Sequence, residues 1–436
     1  MTVHAPAIPA GGAWPDPGRW MHDLAADLYP LPRSLTGDGV RATLERLALE
    51  IDLEMHEVPS GMPVFDWTVP DEWNVREAWI AGPGGERIVD WADHNLHLVG
   101  YSQPVRRTMP LAELRPHLHT LPDQPGLIPY RTSYYDRDWG FCLPHAQLEG
   151  LPEGDYEVCI DATIGPGSMT WGECFLPGQE EREVLISAHV CHPSLANDNL
   201  SGIVVAAALA RALSERRRRH GFRFVFAPAT IGAIAWLAVN QKRTARIAHG
   251  LVLAGVGDAG AFTYERSRRR TALIDRAVEH VLCHAREDAT VGDFEPYGYD
   301  ERQYGSPGIN LPVGCFMRTK YGTYPEYHTS ADDLSLIRPE QLQGTLDALL
   351  AVVDVLERDR APLNLSPMCE PQLGRRGLYG GCGGTSHTRV DQMALLWVLN
   401  GSDGETSLLE IAERAGMPFA TVAHAADRLA EARLLA

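Results

Sequence analysis

Three short stretches of the 436-residue chain carry side chains able to hold a metal ion or move a proton. In the first, the apolar run 184–188 ends in His189, and a buried strand ending this way puts an imidazole at the carboxyl edge of a sheet, where open α/β folds bind their ligands. Nine residues later Asp198 stands just before Ser201-Gly202 and the small-residue run 203–212, so its carboxylate can reach the same edge. One histidine and one aspartate make half of a hard-metal site. The second stretch, Tyr324-Pro325-Glu326-Tyr327-His328-Thr329-Ser330-Ala331-Asp332-Asp333, flanks His328 with carboxylates, and the third, Gly255-Val256-Gly257-Asp258, closes another apolar run with an acid. Each residue also has a purely structural use: a hydrogen-bonded core histidine, a helix cap at Asp198, a turn former at Asp258. Three sheet-edge positions that all end in His or Asp together favour a metal.

Other chemistries find little support. The chain has no G-x-S-x-G elbow and no H-E-x-x-H, and the glycine-rich stretch 374–384 does not end as a phosphate loop does. Cys191 beside His192 suggests a cysteine nucleophile, but adjacent residues of an extended strand point to opposite faces. Asp300, Glu301 and Arg302 concentrate charge in one short segment, which fits a structural ion pair and catalysis equally.

The elements that must position these residues alternate from residue 183 onward. Runs at 184–190, 222–227 and 250–256 read as strands, and runs at 202–213, 231–240 and 273–286 as helices, a pattern that predicts a mostly parallel α/β sheet. The first seventeen residues read as a frayed arm and 38–50 as a helix; 51–160 is mostly β, with short runs at 64–69, 77–81, 87–91, 97–101 and 156–160. Beyond the Pro/Gly-rich stretch 362–384, three helical runs at 393–399, 407–415 and 419–430 form a helix-turn-helix or winged-helix pattern, with Ser407 as a cap. Residues 391–436 hold seven acids against three arginines, so packing or dimerisation is expected there rather than DNA reading. The formal charge of −18 disfavours nucleic acid generally, and the run Arg216 to Arg219 reads as a solvated helix end. Eight scattered cysteines without a CxxC pair fit reduced thiols in a cytoplasm, and no apolar run approaches the ~20 residues of a membrane span.

Taken in order, the motifs resemble a known family. Arg33-Ser34-Leu35-Thr36-Gly37, Phe65-Asp66-Trp67-Thr68-Val69-Pro70, Tyr134-Tyr135-Asp136-Arg137-Asp138-Trp139-Gly140, His189-x-x-His192-Pro193-Ser194-Leu195-Ala196-Asn197-Asp198-Asn199-Leu200-Ser201-Gly202, Tyr299-Asp300-Glu301-Arg302-Gln303-Tyr304 and Pro325-Glu326-Tyr327-His328-Thr329-Ser330 are similar to the bacterial aminopeptidase-like proteins, relatives of the di-zinc aminopeptidases. The resemblance implies an α/β domain with the mostly parallel sheet of the zinc aminopeptidases (residues 18–60 and 150–361), an inserted β-rich domain (61–149) and a C-terminal winged helix (385–436). It implies one or two zinc ions, with His189, Asp198, Asp258 and His328 matching four of the five protein ligands and Asp198 bridging. The family's Glu-Glu pair, ligand and general base, has no counterpart around Ala229, and Cys191 replaces its orienting aspartate. Glu301 is the candidate base, with Asp300 and Arg302 beside it; otherwise the chain is a weakened or non-hydrolytic relative, or Ala229 is an engineered replacement of glutamate. The implied activity is zinc-dependent, aminopeptidase-like amide hydrolysis of a small peptide or an aminoacylated metabolite or sugar in a biosynthetic pathway. The alternatives are a catalytically silent binding or assembly protein and an amide-forming or acyl-transfer enzyme. A cytoplasmic homo-oligomer with neither nucleic-acid nor membrane partners is expected.

Overall fold

The structure, a computed structural model, describes residues 14–285, 288–378 and 386–436; the arm up to residue 13 and positions 379–385 of the Pro/Gly-rich stretch lie outside the described residues, as do the side chains of 386–389. The chain divides into one compact unit of Ala10–Arg270 with Gly292–Leu346 and a second that includes Thr271–Val291 and Asp347–Ala436.

In the first unit, seven strands of the main sheet lie in the order Glu54–Pro59, Ser168–Leu176, Gly221–Ala227, Glu183–His189, Ile247–Leu253, Val313–Met317, Thr263–Glu265. The four inner ones from Gly221–Ala227 to Val313–Met317 are mutually parallel; the flanking strands pair antiparallel. Every residue of Glu183–His189, Gly221–Ala227 and Val313–Met317 is buried, as strands covered on both faces require. The helices Gly202–Ser214 and Ile231–Val239 supply cover with almost uniformly small or apolar side chains. From Glu183–His189 the chain moves to a neighbour on one side, Gly221–Ala227, then returns to the other side as Ile247–Leu253. Such a reversal opens a crevice beyond the carboxyl ends of the strands, and His189 is the last residue of the strand beside it.

A second, wholly antiparallel sheet has the order Arg87–Asp90, Glu72–Ala81, Asp155–Gly165, Val105–Pro110. The next strand, Ser168–Leu176, belongs to the main sheet, where it pairs with Glu54–Pro59. Two local expectations change. Residues 97–101 form no strand: the His94 side chain accepts the Leu96 N–H at 3.1 Å and caps a short 3-10 turn over Asn95–His97 instead, an example of a side chain competing with sheet pairing. The arm gives way to a helix, Pro17–Leu28, begun by Asp16 accepting the Arg19 N–H at 2.9 Å and by proline in the first turn.

The second unit contains the helix Leu273–Cys283 and the three C-terminal helices Ser386–Gly401, Leu408–Ala415 and Phe419–Glu431. Ser407 caps the middle one by accepting the Glu410 N–H at 3.3 Å, and Gly416, at φ 59°, ends it in the left-handed region. Isolated bridges from Leu363 to Asp403 and from Asn364 to Leu435 add a minimal wing. Among the described residues, no helix is long and apolar enough to cross a membrane.

Candidate active site

His189 reaches the crevice because its strand ends there, and the chain then turns through Cys191-His192-Pro193. Arg33, 2% exposed, holds that turn: its Nε donates to the His192 carbonyl at 2.9 Å and its Nη1 to the Leu28 carbonyl. Asp198 is fully buried in the Ala196–Ser201 turn. Both oxygens of the Asp332 carboxylate accept backbone N–H groups there, from Asn197 at 2.5 Å and Asp198 at 3.0 Å, so this loop is fixed by a side chain more than 130 residues away in sequence. His328 sits at φ 56°, a left-handed backbone uncommon outside glycine, and its carbonyl accepts the Tyr130 N–H at 2.8 Å.

These supports bring four side chains together. Asp198 Oδ1 lies 3.0 Å from His189 Nε2 and 3.8 Å from His192 Nδ1, and its Oδ2 lies 3.0 Å from His328 Nε2; His189 Nε2 and His192 Nδ1 are 2.9 Å apart. Burial alone would raise the Asp198 carboxyl, but the hydrogen bonds of His189 and His328 hold it well below the usual carboxylate range. Burial pushes the His192 imidazole down to about 3. Asp198 is therefore ionised and His192 neutral near pH 7, which are the forms that ligate. Three ring nitrogens and a carboxylate, with the His189, His192 and Asp198 donors within 4.8 Å of one another, suit a borderline divalent cation.

Aromatic rings wall the cluster. Tyr299 stacks on His189 with centroids 4.8 Å apart and donates its hydroxyl to Asp198 Oδ1 at 3.1 Å; Tyr327 stacks on His328 at 4.0 Å; Tyr130 presents its edge to His192 and His328, 5.0 Å from each. Burial raises the Tyr130 and Tyr299 phenols well above their usual value, so both stay protonated donors.

Of the four metal candidates from the sequence, the structure brings together His189, Asp198 and His328. Asp258 is not among them. Its oxygens accept from the Asn197 side chain at 2.9 Å, the Thr319 hydroxyl at 2.6 Å and the Gly260 N–H at 2.7 Å. Asp258 lies five residues beyond the end of its strand, Ile247–Leu253, and its oxygens are taken up within that turn and by Asn197 and Thr319. His192 joins the cluster in its place. The Glu301 carboxylate folds back on its own turn, accepting the Tyr299 N–H at 2.9 Å over Gly298, and burial raises it to about 8. Among the described residues it has no hydrogen bond to the His/Asp cluster. Asp300, fully buried, leaves both carboxylate oxygens without a hydrogen-bond partner; burial raises it to about 7 against the opposing charge effects of His189 and Arg302. The ion pair considered for this segment is thus not hydrogen-bonded, and Arg302 instead lies near the Tyr297 ring, 6.0 Å from its centroid. Cys191 accepts the Ala229 N–H at 3.3 Å and burial pushes its thiol up to about 12, which leaves no nucleophilic thiolate.

Residues 22–359 match the domain of unknown function DUF4910, and residues 360–436 match a winged helix-turn-helix family. The chain belongs to the DUF4910 family. A Clostridium acetobutylicum protein, provisionally named for polysaccharide biosynthesis and an aminopeptidase-like domain, is 47% identical over 418 residues, 96% of each chain. A crystal structure of a provisionally named peptidase from the same organism superposes on this DUF4910 chain with TM-score 0.92 at 46% identity, covering 96% of both chains. A zinc aminopeptidase from Bacillus subtilis shares the fold at TM-score 0.58 and 13% identity, over 79% of this chain and 96% of its own. The fold is accordingly that of the zinc aminopeptidases, a large mostly parallel sheet in a mixed α/β domain, with a winged helix at the C-terminus. Of the residues that build the site, the sequence suggested His192 only as a partner of Cys191 and gave Asp332, Arg33 and Tyr299 no role, although all four lie within motifs it singled out. Tyr130 lies outside them, and the contacts of Arg33, Tyr130 and Tyr299 are long-range.

Proposed function

We propose that this chain is a metal-dependent amide hydrolase of aminopeptidase type, acting on a small peptide or an aminoacylated sugar or metabolite of a polysaccharide-forming pathway. The observation that carries the reading is the convergence of His189, His192 and His328 on the ionised Asp198. These four residues would hold a zinc-type ion, which when bound polarises a scissile carbonyl and lowers the pKa of water to ~7. The chain's own residues do the rest. Asp332 and Arg33 keep Asp198 and His192 in place, Tyr299 donates to Asp198, and Tyr130 and Tyr327 exclude water from the flanks. Asp300 takes the proton at its unpartnered carboxylate, the role that the glutamate missing around Ala229 would have had.

The test is turnover of aminoacyl amides and aminoacylated sugars by the zinc-loaded chain. Asp198→Asn should abolish turnover and metal retention together, whereas Asp300→Asn should keep the metal and lose ~100- to 10,000-fold in rate, the usual contribution of a general base. The absence of any carboxylate around Ala229 favours a second reading, a silent binding or assembly protein. No turnover by the metal-loaded wild-type chain on the whole panel would establish that reading over hydrolysis.

A further inference from the structure

A second group of soft ligands lies in the other unit, at the end of the helix Leu273–Cys283. His280 and His284 are four residues apart and Cys283 is three after His280, a spacing that sets all three side chains on one flank of the last turn. Their ligand atoms lie within 4.8 Å of one another, and the two imidazole centroids are 4.8 Å apart. His280 is 5% exposed, and its Nε2 is buried without any hydrogen-bond partner. Such an orphaned ring nitrogen calls for an explanation. The group borders a cleft of about 640 Å³ lined also by Arg276, Glu279 and Glu413.

We propose that His280, Cys283 and His284 form a binding site for a zinc-class divalent cation. One thiolate and two imidazoles select a borderline ion over magnesium or calcium, which prefer oxygen. Burial and the neighbouring His284 push His280 down to about 4, so near pH 7 the ring is neutral and its Nε2 has a lone pair to offer. One ring nitrogen of His284 bonds the Met417 carbonyl, which leaves the other as a ligand, an outer contact of the kind that orients metal-bound histidines. Cys283 now donates its thiol to the His280 carbonyl at 3.1 Å; on binding, the sulfur–proton bond breaks, the proton goes to solvent and a sulfur–metal bond replaces it. Glu413 stays with Arg276, 2.6 Å away, and water in the cleft completes the coordination. The ion would tie the helix Leu273–Cys283 to the Gly416-Met417-Pro418 turn of the winged helix.

Cobalt(II) titration of the full-length reduced chain in the Asp198→Asn background removes the crevice site from the readout. We expect a near-ultraviolet sulfur-to-cobalt charge-transfer band that zinc displaces, that Cys283→Ser abolishes, and that His280→Ala, which keeps the thiol, saturates only at least tenfold higher cobalt. Zinc should also raise the unfolding temperature of the Asp198→Asn chain but not that of the chain also carrying Cys283→Ser. A band unchanged by Cys283→Ser, no band, or cobalt bound only at millimolar concentration would overturn the proposal, the last showing an adventitious ion only. Should Cys283→Ser fail to fold, the affinity of the His280→Ala chain decides: unchanged affinity overturns the site.

Discussion

Two adjacent acids, Asp300 and Glu301, are equivalent in the sequence and different in the molecule. Glu301 is 0% exposed and satisfied on one side by the Tyr299 N–H, while Asp300 has no partner and feels the charge of His189. Their pH behaviour follows from burial. Glu301 is raised from 4.5 to about 8, so between those values the folded chain holds a proton that the unfolded chain has released. Stability is lost as pH rises through that window. Glu301→Gln keeps an oxygen for the Tyr299 N–H and carries no charge; its unfolding temperature should match wild type near pH 4 and exceed it increasingly from pH 5 to 9. Parallel melting curves of wild type and variant across that range would contradict the assignment of Glu301 as a buried, charge-costly group.

Elements matter here mainly for what they hold in register. Asp332, at the end of the His328 stretch, accepts two backbone N–H groups of the Asp198 loop, and an asparagine there accepts at one oxygen only. Asp332→Asn should therefore weaken zinc binding at the Asp198 cluster by ~10- to 100-fold, as loss of outer-sphere support typically does, measurable by competition with a chromogenic chelator. A different element pair is fixed by charge. Arg223 in the central strand Gly221–Ala227 bonds Glu183 of the next strand at 2.6 and 3.1 Å and Glu173 of the strand on its other side, all three buried; Glu173 also accepts Trp236 Nε1 at 2.8 Å. Arg223→Met would leave the buried Glu183 without its guanidinium and Glu173 with the Arg243 guanidinium alone, 3.1 Å away. Urea unfolding should show a loss of ~3–5 kcal/mol, the cost of breaking one side of a buried ion pair.

On the scale of the whole chain, charge bears on what the winged helix can touch. The protein carries a formal −18, and its last helix, Phe419–Glu431, offers an exposed His424 and an Arg428 whose Nη2 donates to the Leu378 carbonyl at 3.4 Å. Arg414 pairs with Glu410 on the preceding helix. With no free cationic face among the described residues of these helices, the full-length chain should show no salt-sensitive binding to duplex DNA at physiological ionic strength in a fluorescence-anisotropy titration. Binding whose affinity falls steeply between 50 and 200 mM salt would reverse that expectation.

The sequence by itself determined the class of the fold, because strands buried on both faces must read as continuous apolar runs such as 184–188 and 222–227, and small-residue helices such as 203–212 must cover them. It also led to the expectation that His189, Asp198, Asp258 and His328 share one site; of these the structure brings His189, Asp198 and His328 together. The tertiary structure alone decided the rest of the constellation. Whether an acid such as Asp258 meets His189 depends on where the turn beyond its strand carries it, here to Asn197 and Thr319. That Glu301 is tied to the Tyr299 N–H while Asp300 keeps no hydrogen-bond partner depends on how one short turn closes over Gly298. The contacts of Arg33, Tyr130 and Asp332 span from more than 130 to nearly 200 residues, and such pairings follow from how distant loops are brought together rather than from any local pattern.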